Sequence, residues 1–564
     1  MARLVDEMEE LRIGVFVCHC GTNIAGFLDP REVAEYAGTL PDVVFVKENL
    51  FSCSQSGVTE IQNAIKENQL NRVVVAACTP RTHEPTFRAA CEDAGLNPFF
   101  FEFVNIREHC SWVHKGMAEE ATHKAKDLVR MGVARARYLE PREPIVADVE
   151  PAALVIGGGV SGLTAALSLA NRGIEVKLVE REEELGGMLR RIFRLYPSNI
   201  DAREFIARQV EAVEGHPRIE VFTCSTVEGL QGYIGNYRAT ISSQGVNKRE
   251  VHVGVIIVAT GAAQLDLGEV YGYDGKRVIT LIELEERLRN GELGAKNVVM
   301  IKCVGARVPE RLYCSRICCM TSIKNAILIK EKDPEARVHI LYRDLMCYGV
   351  DNEALLRKAK ESGVRFINYS LERPPIMENG RVRVHSDILG KEIGINADLV
   401  VLVTPMVSQD GVEELSRLLK VPLDGDRFFL EAHVKLRPLD FATDGIYVCG
   451  TAHWPASVSE SIEQALGATA RASTYLINKR VTVEPIFSML LDEDLCRGCG
   501  LCASLCPYAA IEMVQTEKGI KAQMIAVACK GCGTCGASCY RRAIKMNHYT
   551  DEQLIAQVRA AFSG

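Results

Sequence analysis

The chain has 564 residues, 47% hydrophobic and 25% charged, which is the balance of a soluble globular protein long enough for several domains. Its net charge of −7 gives no electrostatic reason to expect nucleic acid or an anionic membrane surface as partner. No run of 18 apolar residues occurs and Met1–Arg12 lacks a signal-peptide core, so no membrane insertion is expected and the expected location is the cytoplasm.

In a reducing compartment, 21 cysteines argue for metal ligands rather than disulfides. Residues 1–145 read as a small α/β domain, with apolar strands at Arg12–Val17, Val43–Val46, Arg72–Ala77 and Pro98–Val104. Cys20 (or Cys18) in VCHCG, Cys53, Cys78 and Cys110 each follow one of these strands. Ligands of open α/β sheets gather at the carboxyl ends of strands, so Cys20, Cys53, Cys78 and Cys110 are expected to share one cluster. The alternative is buried thiols that pack as small hydrophobes. Residues 124–150 read as a helix and then the Pro-bearing connector Glu140–Pro144, where the domain boundary is expected.

Residues 146–485 open with a dinucleotide fingerprint. The strand Ala153–Ile156 runs into Gly157-Gly158-Gly159-Val160-Ser161-Gly162, then a helix of small residues, then a second strand that ends at Glu180. Such glycines let the backbone approach a pyrophosphate at a helix N-terminus, and the acid accepts from a ribose hydroxyl. Gly187, the run VIIVATG with Ala259 and Gly261, and TDGIYVCG with Gly450 resemble the signatures of flavoproteins with two dinucleotide domains, which implies FAD. Thr451 stands where that family carries Asp against the ribityl chain. These residues are the expected FAD contacts.

A second nucleotide domain, for NAD(P)H, normally follows. The strand Asn297–Ile301 opens it, but the next residues are Lys302-Cys303-Val304-Gly305-Ala306-Arg307, with no phosphate-binding glycine loop. Cys303, Cys314, Cys318 and Cys319 form C-x10-C-x3-C-C instead. A 4Fe–4S cluster in place of the nicotinamide site is expected; a zinc site is the alternative. Cys91, Cys224, Cys347 and Cys449 have no partner at metal spacing and read as core or surface thiols.

Residues 486–564 carry the ferredoxin run twice: Cys496-x2-Cys499-x2-Cys502-x3-Cys506-Pro507 and Cys529-x2-Cys532-x2-Cys535-x3-Cys539. In such runs the fourth cysteine serves the other cluster. The expected sets are therefore Cys496, Cys499, Cys502, Cys539 and Cys529, Cys532, Cys535, Cys506. The tail DEQLIAQVRAAF reads as an amphipathic docking or capping helix.

The order of these segments resembles the A-subunit of heterodisulfide reductase and its bacterial relatives. VCHCGTNIAG, AACTPRTHEPTFR and NIREHCSWVH carry the likeness in the first domain. The resemblance implies an α/β multidomain protein with a thioredoxin-reductase-like FAD core and 4Fe–4S clusters. It implies a homodimer within a larger complex, with ferredoxin and a hydrogenase- or formate-dehydrogenase-type donor module as partners. It also implies an oxidoreductase that splits electron pairs between a high-potential acceptor and low-potential ferredoxin. The ferredoxin module that methanogen members often carry within the flavin domain is missing, because Phe222–Ile257 has no Cys-rich insert. The rival readings are an electron-transfer adaptor without coupling and a simple NAD(P)H-linked oxidoreductase.

Overall fold

The computed structural model describes residues 10–268, 270–378, 380–483 and 489–563. Most of the polar N-terminal stretch and residues 484–488 of the connector to the ferredoxin segment lie outside the described residues. The chain forms two compact units, residues 1–146 with 482–564, and residues 147–481. The three segments of the sequence reading thus become two bodies, with the first and third together.

In the first unit, four parallel strands stand in the order Val43–Asn49, Ile13–Cys18, Arg72–Ala77, Phe101–Asn105. All six residues of Ile13–Cys18 are buried. An unbroken apolar run of this kind belongs to a central parallel strand with helices on both faces. The fourth strand starts at Phe101 because Pro98–Phe100 forms a 3-10 turn, capped by the Asn97 side chain, which accepts from Phe99 N at 3.0 Å.

The ferredoxin segment pairs Ile511–Thr516 with Gly519–Met524, and Met489–Leu491 with Ile544–Met546. Its tail helix, Asp551–Ala561, starts with a capping box between Thr550 and Gln553. It docks on the helix Ala118–Ala136, as the sequence suggests for a capping helix. Arg130 Nε donates to Ala560 O at 2.7 Å and Gln553 Nε2 to Tyr138 O at 2.8 Å. The buried Arg135 joins Glu102 to the His548 carbonyl.

The second unit repeats one architecture. Its first half is a five-stranded parallel sheet, in the order Ile446–Val448, Val255–Val258, Ala152–Ile156, Glu175–Val179, Ile219–Phe222, with the antiparallel meander Ser225–Tyr233, Asn236–Ser243, Asn247–Val253. Its second half is a parallel sheet in the order Val278–Thr280, Leu399–Leu402, Asn297–Ile301, Arg337–Tyr342, Arg365–Asn368. The meander Ile376–Glu378, Arg381–Ser386, Lys391–Asn396 completes it. In each half the middle strand is the one whose following turn would meet a dinucleotide. The fold is α/β, with a two-dinucleotide core.

Candidate functional site

In the first half, residues 157–159 alone connect the strand Ala152–Ile156 to the helix Val160–Ala170. The helix N-terminus is thereby aimed at a cavity of about 780 Å³, a size suited to a large cofactor. Gly157, Gly159, Ser161, Glu180, Gly187, Ala259, Gly261 and Thr451 line it. Gly162 and Gly450 stand behind that lining. A Cβ on Gly162 would come within 1.8 Å of Gly157 O, and one on Gly450 within 2.1 Å of Ser161 Oγ. Their role is close packing of the turn and helix. At Gly159 a Cβ would meet nothing, so the cradle is open toward the cavity.

Glu180 is held by Gly158 N, which donates to Oε2 at 2.6 Å, and by Glu182 N, which donates to Oε1 at 2.9 Å. It also lines a second cavity of about 760 Å³ that shares Gly157, Arg181, Thr260 and Gln409 with the first and extends past Thr226 and Val227. The two spaces adjoin, and Glu180 is among the residues that line both. The Gly-rich cradle and the ribose-side carboxylate fit FAD. Thr451 lines the wall where a flavin chain would pass. Behind it, Gly450 N donates to Gln464 Oε1 at 3.1 Å, and the buried His453 pairs with Glu431 through Nε2 at 3.0 Å.

The inner wall of the flavin cavity includes Ile317, Thr321 and Lys324, and these belong to the second half. They lie at the start of the helix Cys318–Lys332, the cysteine helix. Sequence reasoning missed Lys324. It is buried, donates to Glu285 Oε1 at 2.5 Å and to Arg194 O at 2.7 Å, and burial holds its pKa below the ordinary lysine value. The only sequence signal was its i+6 position after Cys318, which puts it nearly two turns along the helix.

Cys318 and Cys319 are buried at the N-terminus of that helix, and Cys303 and Cys314 lie in the preceding loop, partly exposed. Residues 302–317 separate the strand Asn297–Ile301 from the helix, so no short turn aims it at a phosphate. The loop is pinned from below. Tyr369 Oη donates to Lys302 O at 2.5 Å, Arg343 Nη1 to Arg307 O at 2.9 Å and Arg311 Nη1 to Gly305 O at 2.7 Å. Cys319 accepts from Met346 N at 3.3 Å and Cys314 from Arg316 N at 3.3 Å. The hydrogen bond from Cys318, and then the charge of Lys302, hold Cys319 well below the usual thiol pKa despite its burial. A helix N-terminus favours thiolates in the same way.

Lys302 is fully buried, with no oxygen acceptor at its Nζ and the Cys319 sulfur as its hydrogen-bonding neighbour. Burial works against its charge, and Cys318, Cys319 and Cys303 outweigh that effect. A buried cation facing thiols fits an anionic iron–sulfur group better than neutral packing. Cys347, read from the sequence as a thiol without partners, in fact neighbours Cys319. Its pKa is pushed up to about 11, first by burial and then by Cys319.

In the ferredoxin segment, one cleft is lined by Cys496, Cys499, Cys502 and Cys539, so the fourth cysteine of the second run meets the first three of the first. Cys535 has Cys529, Cys506 and Cys532 as its thiol neighbours. The crossing of fourth cysteines that the spacing implies is therefore present in the packing.

The first domain needs a correction. Cys53 has Cys18 and Cys20 as thiol neighbours, and Cys78 has Cys20 and Cys18. Cys110 is not among them. Its thiol donates to Ala121 O at 3.0 Å inside the core under the helix Ala118–Ala136. One turn of π-helix, Arg107–Ser111, turns it away from the strand ends. Arg107 instead reaches Cys20 Sγ at 3.9 Å. Cys20, two residues past Cys18, adopts the left-handed φ of 46°. Among the described residues, no three or more Cys, His, Asp or Glu side chains converge as closely as metal ligands do, and no cysteine is in a disulfide. No helix among the described residues is long and apolar enough to cross a membrane.

A family model described as pyridine nucleotide-disulphide oxidoreductase matches residues 151–306, and a 4Fe-4S binding domain model matches residues 489–512. The first match ends inside the Cys303 loop, before Cys314. The chain is 41% identical to the second iron-sulfur A-subunit of CoB--CoM heterodisulfide reductase from Methanopyrus kandleri, over 98% of this chain and 99% of that one. It is 39% identical to the A-subunit of the H(2):CoB-CoM heterodisulfide,ferredoxin reductase from Methanothermobacter marburgensis, over 99% and 98%. The first of these alignments spans 650 positions, more than the 564 residues here, so the relative has residues this chain lacks. Among solved structures, the chain is similar to the T. acidophilum thioredoxin reductase, with 17% identity, a TM-score of 0.42, and coverage of 58% of this chain and 100% of that one. With 41% identity along nearly the full length of a relative so named, the chain belongs to the family of heterodisulfide reductase A-subunits, oxidoreductase components that move electrons through FAD and 4Fe–4S clusters.

Proposed function

We propose that this subunit splits, or in reverse merges, electron pairs between a high-potential acceptor and low-potential ferredoxin, within a heterodisulfide-reductase-like complex. The observation that carries the reading is the cysteine helix. One end of it bears Cys318 and Cys319, while Thr321 and Lys324 line the flavin cavity. FAD, when bound, can exchange electrons in pairs with one partner and singly with another. The chain's residues supply the separation. The glycine cradle and Glu180 hold the dinucleotide, Lys324, fixed by Glu285, stands in the cavity wall, and the pinned Cys303 loop fills the place of a pyridine-nucleotide turn.

Four 4Fe–4S sites follow in this proposal. Cys496, Cys499, Cys502 and Cys539 hold one, and Cys529, Cys532, Cys535 and Cys506 the second. Cys303, Cys314, Cys318 and Cys319 hold the third, and Cys18, Cys20, Cys53 and Cys78 the fourth. The relatives named for both a heterodisulfide and ferredoxin support two acceptors of different potential. A homodimer in the cytoplasm, fed by a hydrogenase or formate dehydrogenase module, completes the proposal.

The test is ferredoxin reduction by the purified complex with its physiological donor, with and without the high-potential acceptor. Coupling predicts that ferredoxin reduction stops when that acceptor is withheld. Equal rates in both arms would reduce the chain's role to plain electron transfer between neighbours.

A further inference from the structure

Lys302 occupies the first position after the strand Asn297–Ile301, where a nucleotide-binding half would begin its glycine turn. A lysine there is costly. Its side chain is 0% exposed and its Nζ has no oxygen acceptor; the Cys319 sulfur is its hydrogen-bonding neighbour. A buried cation is held only where anionic groups face it. The groups that act on it most are Cys318, Cys319 and Cys303, three of the four cysteines of the central set. Its carbonyl is tied by Tyr369, so the backbone that carries it is fixed. The other cations near the set are Arg307, Arg316 and Arg343: Arg307 and Arg316 are each about one-third exposed and paired with Asp344 and Glu460, and Arg343 donates to the carbonyls of Cys303, Ala306 and Arg307. Solvent and those carboxylates screen Arg307 and Arg316. Lys302 has neither solvent nor a carboxylate beside it.

We propose that Lys302 places one fixed positive charge beneath the cluster held by Cys303, Cys314, Cys318 and Cys319, and that this charge makes the cluster easier to reduce. The inference rests on the cluster reading above. Reduction adds one electron, received from the flavin, to the cluster. No bond forms or breaks, and the cluster with its thiolates becomes more negative by one unit. A buried cation favours the more negative state, because at low effective dielectric a nearby unit charge acts strongly. Net charge and its compensation are among the levers that set such potentials. Lys302 is a tuning residue here and touches no substrate.

The experiment is an EPR-monitored redox titration of the holo-protein in its complex, for wild type, Lys302→Met, Lys302→Arg and Arg307→Gln, with iron and FAD counted in each. Lys302→Met is expected to lower the midpoint of one cluster by at least a tenfold change in its reduction equilibrium, about 59 mV for one electron. The other clusters and the FAD content should not change, Lys302→Arg should restore the midpoint, and Arg307→Gln should shift it less. Loss of that one cluster in Lys302→Met but not in Lys302→Arg would also support a charge that the cluster requires. Unchanged midpoints with full iron in Lys302→Met would overturn the proposal, as would loss of the cluster in both variants. If Cys318→Ser leaves iron content unchanged, the cluster reading itself fails, and the role of Lys302 fails with it.

Discussion

The two halves of the central unit share a sheet order and a meander, and differ at one turn. In the first half, residues 157–159 pass from strand to helix, and the helix faces a cavity. In the second, residues 302–317 intervene, and a buried lysine with four cysteines occupies the same position in the topology. The strands are equally apolar in both, so the sheet does not decide the ligand. The turn decides it. A short glycine turn exposes backbone N–H groups to phosphate, whereas a long pinned loop presents thiols and a cation. Fold and site can thus part company within one chain.

The comparison can be broken most severely at Gly162. Gly162→Val puts a side chain into Gly157 O, and overpacking there should cost about 3 kcal/mol, more than a hundredfold in flavin affinity. The flavin-to-protein absorbance ratio should fall nearly to zero while the Cys303–Cys319 iron stays. Flavin retained at full occupancy would mean the first turn is not the cradle. Next in size, Cys318→Ser should remove one cluster, taking roughly 16 Fe per chain to about 12, with FAD still bound. Iron and flavin analysis of the same sample reads both halves at once.

Glu285→Gln tests a buried pair of the second half that also holds the first, since Glu285 Oε2 accepts from Phe193 N at 3.0 Å and Lys324 donates to Arg194 O at 2.7 Å. It removes the carboxylate from a buried ion pair and leaves Lys324 charged in the cavity wall, which should destabilise the unit by about 3 kcal/mol. A chemical denaturation midpoint shows it, and an unchanged midpoint would mean the pair is neutral in the fold. The smallest effect belongs to Thr280→Ala. Thr280 caps the helix Leu281–Asn290 by accepting from Glu283 N at 3.3 Å. About 1 kcal/mol of stability should be lost, with iron and FAD unchanged, because this helix end faces no cofactor. Any loss of FAD there would show that the second half binds more than a cluster.

Legibility in the sequence followed the distance between partners. The ferredoxin cysteines are local repeats, so their spacing alone implied that Cys539 and Cys506 stand with the opposite runs, as they do in the packing. The glycine turn and Glu180 were legible for the same reason. The N-terminal set was not. Its thiols come from separate strand ends, and beyond the turn of π-helix at Arg107–Ser111 Cys110 is buried against Ala121, while Cys18 stands with Cys20 near Cys53 and Cys78. Lys302 and Lys324 carried no motif, because their meaning lies in burial and in what faces them. Nor did hydrophobic pattern reveal that the first and last segments form one unit, since that contact rests on Arg130, Arg135 and Gln553 meeting backbone carbonyls more than 400 positions away.

The central claim is that iron sits where a nicotinamide nucleotide would bind in the second half. An anomalous difference map at the iron absorption edge, from anaerobically grown crystals soaked in NADPH, addresses it in one measurement. The account predicts a compact iron peak bracketed by Cys303, Cys314, Cys318 and Cys319, with no dinucleotide beside the flavin. NADPH density along the 302–317 loop, with no iron at those four sulfurs, would contradict it.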